Sequence, residues 1–250
     1  MTLHRSAAVV ESVRSLHLAG RIERVDALDD CTRDAMFRLL SGHFIGVDRE
    51  TFDADLSAKT CAILLEDEDG ELRGFSTMVV YRTFAAETPR SIVYSGDTIV
   101  HRDWWGSASL ARMWIKAVRL LAPQDGRDEL YWFLLTSGFR TYRFLPVFFR
   151  DFHPRFDEPA PESTAAFLAA IARERFGDLY DAASGVVRFA RPQTLTPELL
   201  DLPEGRTMDP HVAFFLARNP GHVRGDELAC LTRIHDDNLT AAGRRMTRGR

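Results

Sequence analysis

Hydrophobic and polar residues alternate along about the first 135 positions in a pattern that predicts strands and helices. The clearest local signal is a hairpin, in which apolar strands at 61–67 and 71–84 are joined by a turn at Asp69 and Gly70. In chain order the pattern predicts a strand at 21–28, a helix at 31–44 with Asp29 and Asp30 at its cap, a short acidic helix at 51–59, the hairpin, a strand at 91–100, a helix that ends before Pro123, and a strand at 129–135.

Two of these strands carry further information. Gly96 interrupts the strand at 91–100, which predicts a bulge or the close approach of another backbone. The strand at 129–135 contains an apolar run without polar interruption, which is typical of a strand covered on both faces.

The second half of the chain has a less regular pattern. An aromatic segment at 139–152 is predicted to be helical, with Pro146 in a first turn or at a kink. We divide the sequence into an N-terminal arm and core at 1–155, a C-terminal elaboration of the same domain at 156–240, and a disordered basic tail at 241–250. The other predicted elements are a helix or loosely held arm at 1–19, a helix at 163–176 capped by Ser163 or Thr164, strands at 185–190 and 227–234, and a helix at 209–220.

The composition is that of a globular protein, with 45% hydrophobic residues, 27% charged residues and a formal net charge of −4. This balance provides no general basic surface for nucleic acid, and no stretch reaches the roughly 18 uninterrupted apolar residues of a membrane span. The three cysteines lack the spacing of a disulfide framework or a zinc site. The motifs GxSxG, HExxH, GxxxxGK(S/T) and GxGxxG are absent. We therefore expect a cytoplasmic protein without a metal, of undetermined oligomeric state.

The segment from Val100 to Leu110 joins a strand to a helix through the small residues 106–109. Such a helix N-terminus exposes several N–H groups without partners, which suits a bound anion. Arg102 would add a charge-assisted bond to that anion. The alternative is an ordinary strand-turn-helix connection with a Gly-Ser cap.

The order of elements, a three-strand meander followed by a helix and a buried strand, resembles the GNAT superfamily of N-acyltransferases over roughly residues 21–152. The strands at 185–190 and 227–234 resemble the last two strands of that fold, separated by an insertion. In the superfamily's pyrophosphate-binding motif, Trp105 replaces the usual Arg or Gln and Leu110 replaces the last glycine. The resemblance implies an α/β fold with a mixed, largely antiparallel central sheet flanked by helices, here with an enlarged C-terminal part.

The resemblance also implies that acyl-CoA is the donor substrate and that backbone N–H groups of the motif hold its pyrophosphate. In this fold the bulged fourth strand splays from the fifth, and the thioester lies in the gap; Gly96 lies in the corresponding strand. A backbone N–H near Thr98–Val100 would then stabilise the oxyanion. The predicted donor-binding residues are Thr98, Ile99, Val100, Arg102, Trp105, Gly106, Ser107 and Ala108.

Three side chains are candidates for proton transfer. Asp97, beside the predicted bulge, would act as a base or hold the acceptor's ammonium; alternatively it bonds locally to the bulge backbone. His101 is a candidate because histidine side chains commonly carry protons in catalysis; alternatively it is a loop histidine that faces solvent. The resemblance implies a general-acid role for Tyr142. Alternatively, Tyr142 is an amphipathic side chain with a buried ring and a hydroxyl group that contacts water.

Two further segments have two interpretations each. An aromatic run has nearly helical spacing and predicts a stripe facing the core or, alternatively, a wall for a longer acyl chain or an aromatic acceptor. The polar loop at 219–227 is a plain connection or contributes His222, Asp226 or Glu227 to the acceptor site. The aromatic run comprises Phe144, Phe148, Phe149, Phe152 and Phe156.

We predict an N-acyltransferase that moves an acyl group, acetyl or longer, from acyl-CoA to the amine of a small molecule by direct attack. The long C-terminal part favours a restricted acceptor pocket over an open groove for a protein tail. A first alternative is a synthase of N-acyl amino acids or acyl-homoserine lactones, which would receive an acidic acyl carrier protein on a basic face. A second alternative is a non-catalytic ligand-binding module of the same fold. The basic face comprises Arg102, Arg112, Lys116 and Arg119.

Overall fold

A computed structural model describes residues 17–86, 88–123, 129–201, 205 and 208–247. It confirms the element order predicted for the first half. The first helix begins where expected, because the Asp29 carboxylate accepts a hydrogen bond from the Thr32 N–H at 2.8 Å. The elements are β1 Ala19–Arg24, α1 Asp30–Ser41, α2 Arg49–Ser57, β2 Cys61–Glu66, β3 Leu72–Thr83, β4 Arg90–Val100, α3 Ser109–Leu121 and β5 Glu129–Thr136.

The second half adds short elements around one long helix. Two-residue strands at Phe44–Ile45 and Thr194–Leu195 pair with each other in a separate small sheet. The remaining elements are α4 Phe139–Tyr142, α5 Phe144–Phe148, α6 Glu162–Phe176, β6 Tyr180–Asp181, β7 Val186–Val187, α7 Pro197–Leu200, α8 Pro210–Arg218, β8 Glu227–Arg233 and α9 Ala241–Thr247.

Several predicted features of this half are wrong in detail. The helix predicted at 163–176 begins one residue earlier after Pro161, so neither Ser163 nor Thr164 is its cap. The strand predicted at 185–190 is reduced to two residues. The aromatic segment forms two short helices, with Pro146 in the first turn of the second.

The basic tail is not disordered over the part that the structure describes. Residues Ala241–Thr247 form α9, which packs against α3 and α5. A seven-residue helix is marginal by itself, so this packing accounts for its presence. Residues 1–16 of the predicted arm and 248–250 of the tail lie outside the described residues.

Eight strands form one sheet in the order β1-β2-β3-β4-β5-β8-β7-β6. Its neighbouring strands are antiparallel, with the exception of β4 and β5, which are parallel and joined through α3. Both strands of the parallel pair therefore end at the same edge of the sheet. Ligands of α/β proteins commonly bind outside the carboxyl ends of parallel strands.

β4 carries the predicted bulge. Its register with β3 shifts between Ser76 and Met78, so that Gly96 and Asp97 both lie opposite Thr77. A Cβ atom at Gly96 would overlap the Thr77 hydroxyl, which explains why glycine occupies this position.

β4 leaves β5 at this bulge. Their pairing runs from Arg90 with Glu129 to Ser95 with Leu134 and then stops, whereas β5 remains paired with β8 as far as Thr136. Among the described residues, the rest of β4 has no strand on its β5 side. A gap therefore opens between the carboxyl ends of the two parallel strands.

Helices cover both faces of the sheet. Alternate residues of β2 show this directly: Ile63 and Leu65 join the buried cluster under α3, whereas Ala62 and Leu64 join the cluster under α1 and α2. A third buried cluster, under α6, shares that second face through β4 and β5.

Candidate functional site

Two cavities meet where β4 leaves β5. The inner cavity, of about 250 Å³, is lined both by Trp114 from the α3 side and by Phe52 from α2, so it passes through the sheet. The outer cleft, of about 600 Å³, lies between the end of β4, the start of α3 and the α4–α5 segment. Nine residues line both cavities: Phe44, Thr98, Leu110, Ala111, Ser137, Thr141, Phe144, Phe148 and Met246.

The outer cleft is bordered by the N-terminus of α3. The cap residue, Ala108, makes no side-chain hydrogen bond to the helix. Ser107 Oγ accepts from the Ser109 N–H at 3.2 Å, and Ser109 Oγ donates to the Leu18 carbonyl at 2.9 Å, which fixes the start of the helix. The remaining first-turn N–H groups have no intrahelical acceptor and favour an anion.

Trp105 and Arg140 form another border of the cleft. Trp105 Nε1 donates to the Val100 carbonyl at 2.8 Å, so the indole lies across the end of β4. The Arg140 guanidinium lies 4.3 Å from the centre of the Trp105 ring and donates to the carbonyls of Leu199 and Asp201 at 2.5 and 3.2 Å. A cation thus stacks on the residue that replaces the expected Arg or Gln.

Two indoles meet at the point where the strands separate. Trp114 of α3 and Trp132 of β5 both donate from Nε1 to Ser95 Oγ, at 2.9 and 3.0 Å, with ring centres 4.5 Å apart. Ser95 is also the last β4 residue that pairs with β5. These bonds attach α3 to the base of the gap and leave neither buried indole N–H unsatisfied.

Three carboxylates line the inner cavity: Asp55 of α2, Asp97 of β4 and Glu227 of β8. Burial and the charge of Asp55 raise the pKa of Asp97 to about 6, against the opposing charge of Lys59. Burial and the charges of Asp97 and Asp55 raise the pKa of Glu227 to about 8. Burial and the mutual repulsion of Asp97 and Glu227 therefore favour a proton on this pair, with Glu227 the more strongly shifted of the two.

Lys59 is a countercharge beside these carboxylates, and Arg191 is a second basic residue, in the lining of the cavity itself. The buried Nζ of Lys59 donates to the Asp55 carboxylate at 2.5 Å and to the Asp55 carbonyl at 3.1 Å. A Cβ atom at Gly96 would lie 2.6 Å from Lys59 Cε, so the lysine packs directly on the bulge. The charge of Lys59 favours the ionised form of Asp97, the form that can accept a proton.

The structure brings most of the predicted donor-binding residues together. Arg102 is the exception: it is exposed on the short turn Arg102–Trp104 and lines neither cavity. The other seven line the outer cleft: Thr98, Ile99, Val100, Trp105, Gly106, Ser107 and Ala108.

His101 also lies outside both cavities. Its Nδ1 accepts from the Asp103 N–H at 3.4 Å and lies 3.7 Å from the Asp103 carboxylate, which makes it a cap of the surface turn. We therefore do not retain His101 as a proton carrier. His43, which the sequence did not single out, lines the cleft instead, and burial lowers its pKa.

The position of Tyr142 does not favour its predicted role as a general acid. The side chain is fully buried, its hydroxyl donates to the Pro154 carbonyl at 2.8 Å, and its ring packs against Phe215. Burial raises the pKa of the Tyr142 hydroxyl above its ordinary value. The preceding residue, Thr141, lines both cavities, because adjacent residues of a helix project in different directions.

The aromatic run divides between the cavity and the core. Phe144, Phe148 and Phe149 line the inner cavity. Phe152 is buried and lines neither cavity, and Phe156 is exposed. The interpretation as a cavity wall thus fits the first three residues.

The polar loop before β8 contributes one of its three candidates. Glu227 lines the inner cavity, whereas Asp226 accepts a hydrogen bond from Arg188 at 3.3 Å and His222 packs against Phe215. The sequence analysis did not identify Asp55 as a site residue. The one feature that could have indicated it is its position in a short acidic helix.

Among the described residues, no group of three or more His, Cys, Asp or Glu side chains is arranged to bind a metal ion. The three cysteines are unpaired. No helix in the described ranges has the length and apolar character needed to span a bilayer.

No family model and no curated protein matches the sequence. Among solved structures, a protein of unknown function from Enterococcus faecalis V583, described as a probable N-acyltransferase, is 11% identical with a TM-score of 0.40; the match covers 54% of this chain and 33% of that one. A GNAT-family N-acetyltransferase from Escherichia coli in complex with CoA is 14% identical with a TM-score of 0.38, over 57% and 71% of the two chains. A GNAT-family acetyltransferase from Staphylococcus aureus Mu50 is 10% identical with a TM-score of 0.39, over 58% and 91%.

The topology of the central sheet can be compared with the one expected from the sequence. Its first five strands are adjacent in chain order, the fourth is bulged, and the fourth and fifth are parallel and separate beyond Ser95. The chain therefore has the mixed, largely antiparallel sheet, split between its fourth and fifth strands, that the resemblance to the GNAT superfamily implies.

Proposed function

We propose that the protein is an N-acyltransferase that transfers an acyl group from acyl-CoA to the amine of a small molecule. The observation that carries this proposal is the gap between β4 and β5, because the inner cavity passes through it. The gap connects a cleft suited to an anionic donor with a cavity suited to a cationic acceptor. A thioester in the gap would meet an amine from the opposite face of the sheet.

The outer cleft provides the groups that a coenzyme A donor requires. The first-turn N–H groups of α3 would bind the pyrophosphate, supported by the helix dipole. Arg140 would add a cation beside them, in place of the missing Arg or Gln. The residues that line both cavities, among them Thr98 and Thr141, connect this cleft with the inner cavity.

Asp97 is the base in the proposed reaction. The acceptor enters as an ammonium, ionised Asp97 removes one proton, and the neutral amine attacks the thioester carbonyl carbon. Glu227, protonated at neutral pH, leaves a single negative charge on the pair.

The oxyanion of the tetrahedral intermediate would be stabilised by backbone N–H groups of β4 beyond the bulge, where β5 offers no partner. The carbon–sulfur bond then breaks, and the proton that the attacking nitrogen loses passes to the leaving thiolate. Ser137 and Thr141 are the hydroxyl groups that line both cavities on the α4 side, and either would relay that proton.

The acceptor side of the cavity is enclosed by the second half of the chain. Phe189, Gln193 and Glu227 line it together with α2. This enclosure supports a small-molecule acceptor, because a protein tail needs an open groove.

Thermal unfolding with CoA, acetyl-CoA and longer acyl-CoAs tests donor binding. A thioester at a hundredfold excess over its Kd should stabilise the protein by about 2.7 kcal/mol. CoA release with a panel of primary amines then tests turnover. We expect D97N to keep the thioester-induced shift but to lose turnover by about a hundredfold or more, whereas E227Q, which resembles the protonated form of Glu227, should keep both. The matched control D103N, outside both cavities, should keep both.

Two outcomes would contradict the proposal. No shift with any thioester would exclude a coenzyme A donor, and an acyl-loaded carrier protein would then be tested against the exposed basic residues Arg112, Lys116 and Arg119. Efficient acylation of a protein lysine, undiminished by small amines, would exclude the small-molecule acceptor.

A further inference from the structure

The inner cavity is much less polar on its α3 side than on its carboxylate side. Its lining there comes from three helices that pack together: α3, α5 and α9. None of these helices contributes a charged side chain to the cavity. The main contributors are Leu110, Trp114 and Ile115 of α3, Phe144 and Phe148 of α5, and Met246 of α9.

α9 forms the end wall of this side. At its start, the Thr240 N–H donates to the Phe148 carbonyl at 3.0 Å, and at its end the Thr247 carbonyl accepts from Arg119 at 3.1 Å. α9 thus bridges α5 and α3. A Cβ atom at Gly243 would overlap the Phe148 carbonyl, so glycine permits this close approach.

The polar atoms at the base of this side are already paired. The indole N–H groups of Trp114 and Trp132 both donate to Ser95 Oγ. A hydrocarbon group can therefore enter without leaving these donors unsatisfied, and it gains the free energy of apolar burial.

The size of the cavity exceeds the needs of an acetyl group. An apolar cavity of about 150 Å³ holds a molecule as large as benzene. The inner cavity measures about 250 Å³. A bound acetyl group would leave most of the apolar wall of the cavity without contacts.

We infer that the α3 side of the inner cavity binds the hydrocarbon chain of the donor, a medium-chain acyl thioester of about six to ten carbons, and that α9 limits the chain length. This inference rests on the proposed function and names the class of its donor.

The experiment compares acetyl-, hexanoyl- and decanoyl-CoA, by kcat/KM and by thermal shift, at one acceptor concentration. Each buried methylene should add about fourfold to binding, so hexanoyl-CoA should exceed acetyl-CoA at least tenfold. I115W fills the cavity from α3, and we expect it to lower the decanoyl-to-acetyl ratio at least tenfold. M246W fills it from α9 and should act in the same direction. L120W is the matched control, because Leu120 lies on the same helix and is 68% exposed.

The outcomes separate this inference from the proposed function. Acetyl-CoA as the best donor would overturn the inference and leave the proposed function standing. So would an unchanged chain-length ratio in both folded tryptophan variants. Absence of a thermal shift with every thioester would overturn both. The melting temperature of each variant without ligand shows whether it is folded.

Discussion

At the scale of single residues, Glu227 makes stability depend on pH. Burial and the neighbouring carboxylates raise its pKa from 4.5 to about 8, so between these values the folded state binds more protons than the unfolded chain. The free energy of unfolding therefore falls as pH rises through this window. We expect E227Q to remove most of that slope and to exceed the wild type at pH 9 by on the order of 2 kcal/mol.

Urea denaturation at pH 5, 7 and 9 measures this slope. E68Q, in the exposed hairpin turn, is the matched control and should retain the wild-type slope. A wild-type slope in E227Q would show that Glu227 does not hold its proton in the folded state.

Arg140 and Arg102 form a second test at this scale. Arg140 lines the outer cleft, whereas Arg102 is exposed outside it. We expect R140A to weaken CoA binding about tenfold, because a charge-assisted contact is lost, and R102A to leave it unchanged. Calorimetric titration with CoA measures both. Equal affinities of the two variants would contradict a role for Arg140.

Tyr142 provides a third test. Y142F removes one hydrogen bond to the Pro154 carbonyl and no group that lines a cavity. The variant should lose about 1 kcal/mol of stability and retain its turnover and its pH–rate profile. A large loss of kcat at neutral pH, together with loss of the fall in rate at high pH, would support the tyrosine as general acid.

At the scale of elements, the bulge in β4 is the feature on which the site depends. G96A should be destabilised by about 2 kcal/mol and lose turnover, because the new methyl group meets Thr77 and Lys59. G42A is the matched control: its φ is −77° and its nearest contact would be at 3.5 Å, so we expect little change in stability. Chemical denaturation and a turnover assay compare the two.

Local patterns predict some of these elements and not others. The bulge was predictable, because a lone glycine inside an apolar strand has few structural explanations. α9 was not, because Ala241–Thr247 has no apolar stripe and is helical only through its contacts with α3 and α5. The burial of Tyr142 beside the cavity-lining Thr141 was not predictable either, because adjacent residues of a helix project in different directions and the pattern does not fix which of them faces the cavity.

At the scale of the whole molecule, the candidate site requires both halves of the chain. Asp55 and Asp97 come from the first half and Glu227 from the second, and they meet because β8 lies beside β5 in the sheet. No spacing in the sequence indicates that meeting, since it depends on the strand order of the folded sheet. The outer cleft was more predictable, because ten of its lining residues lie in the single segment 98–111.

The distribution of tryptophan has an optical consequence. All four tryptophans of the chain line a cavity: Trp104 and Trp105 the outer cleft, Trp114 and Trp132 the inner cavity. Intrinsic fluorescence therefore carries no background from indoles elsewhere. We expect a saturating acyl-CoA to change the emission intensity and wavelength, and the singly substituted W105F and W114F to assign the change to one cavity. A thermal shift without any spectral change would place the ligand elsewhere, so the protein supplies its own label-free reporter of occupancy.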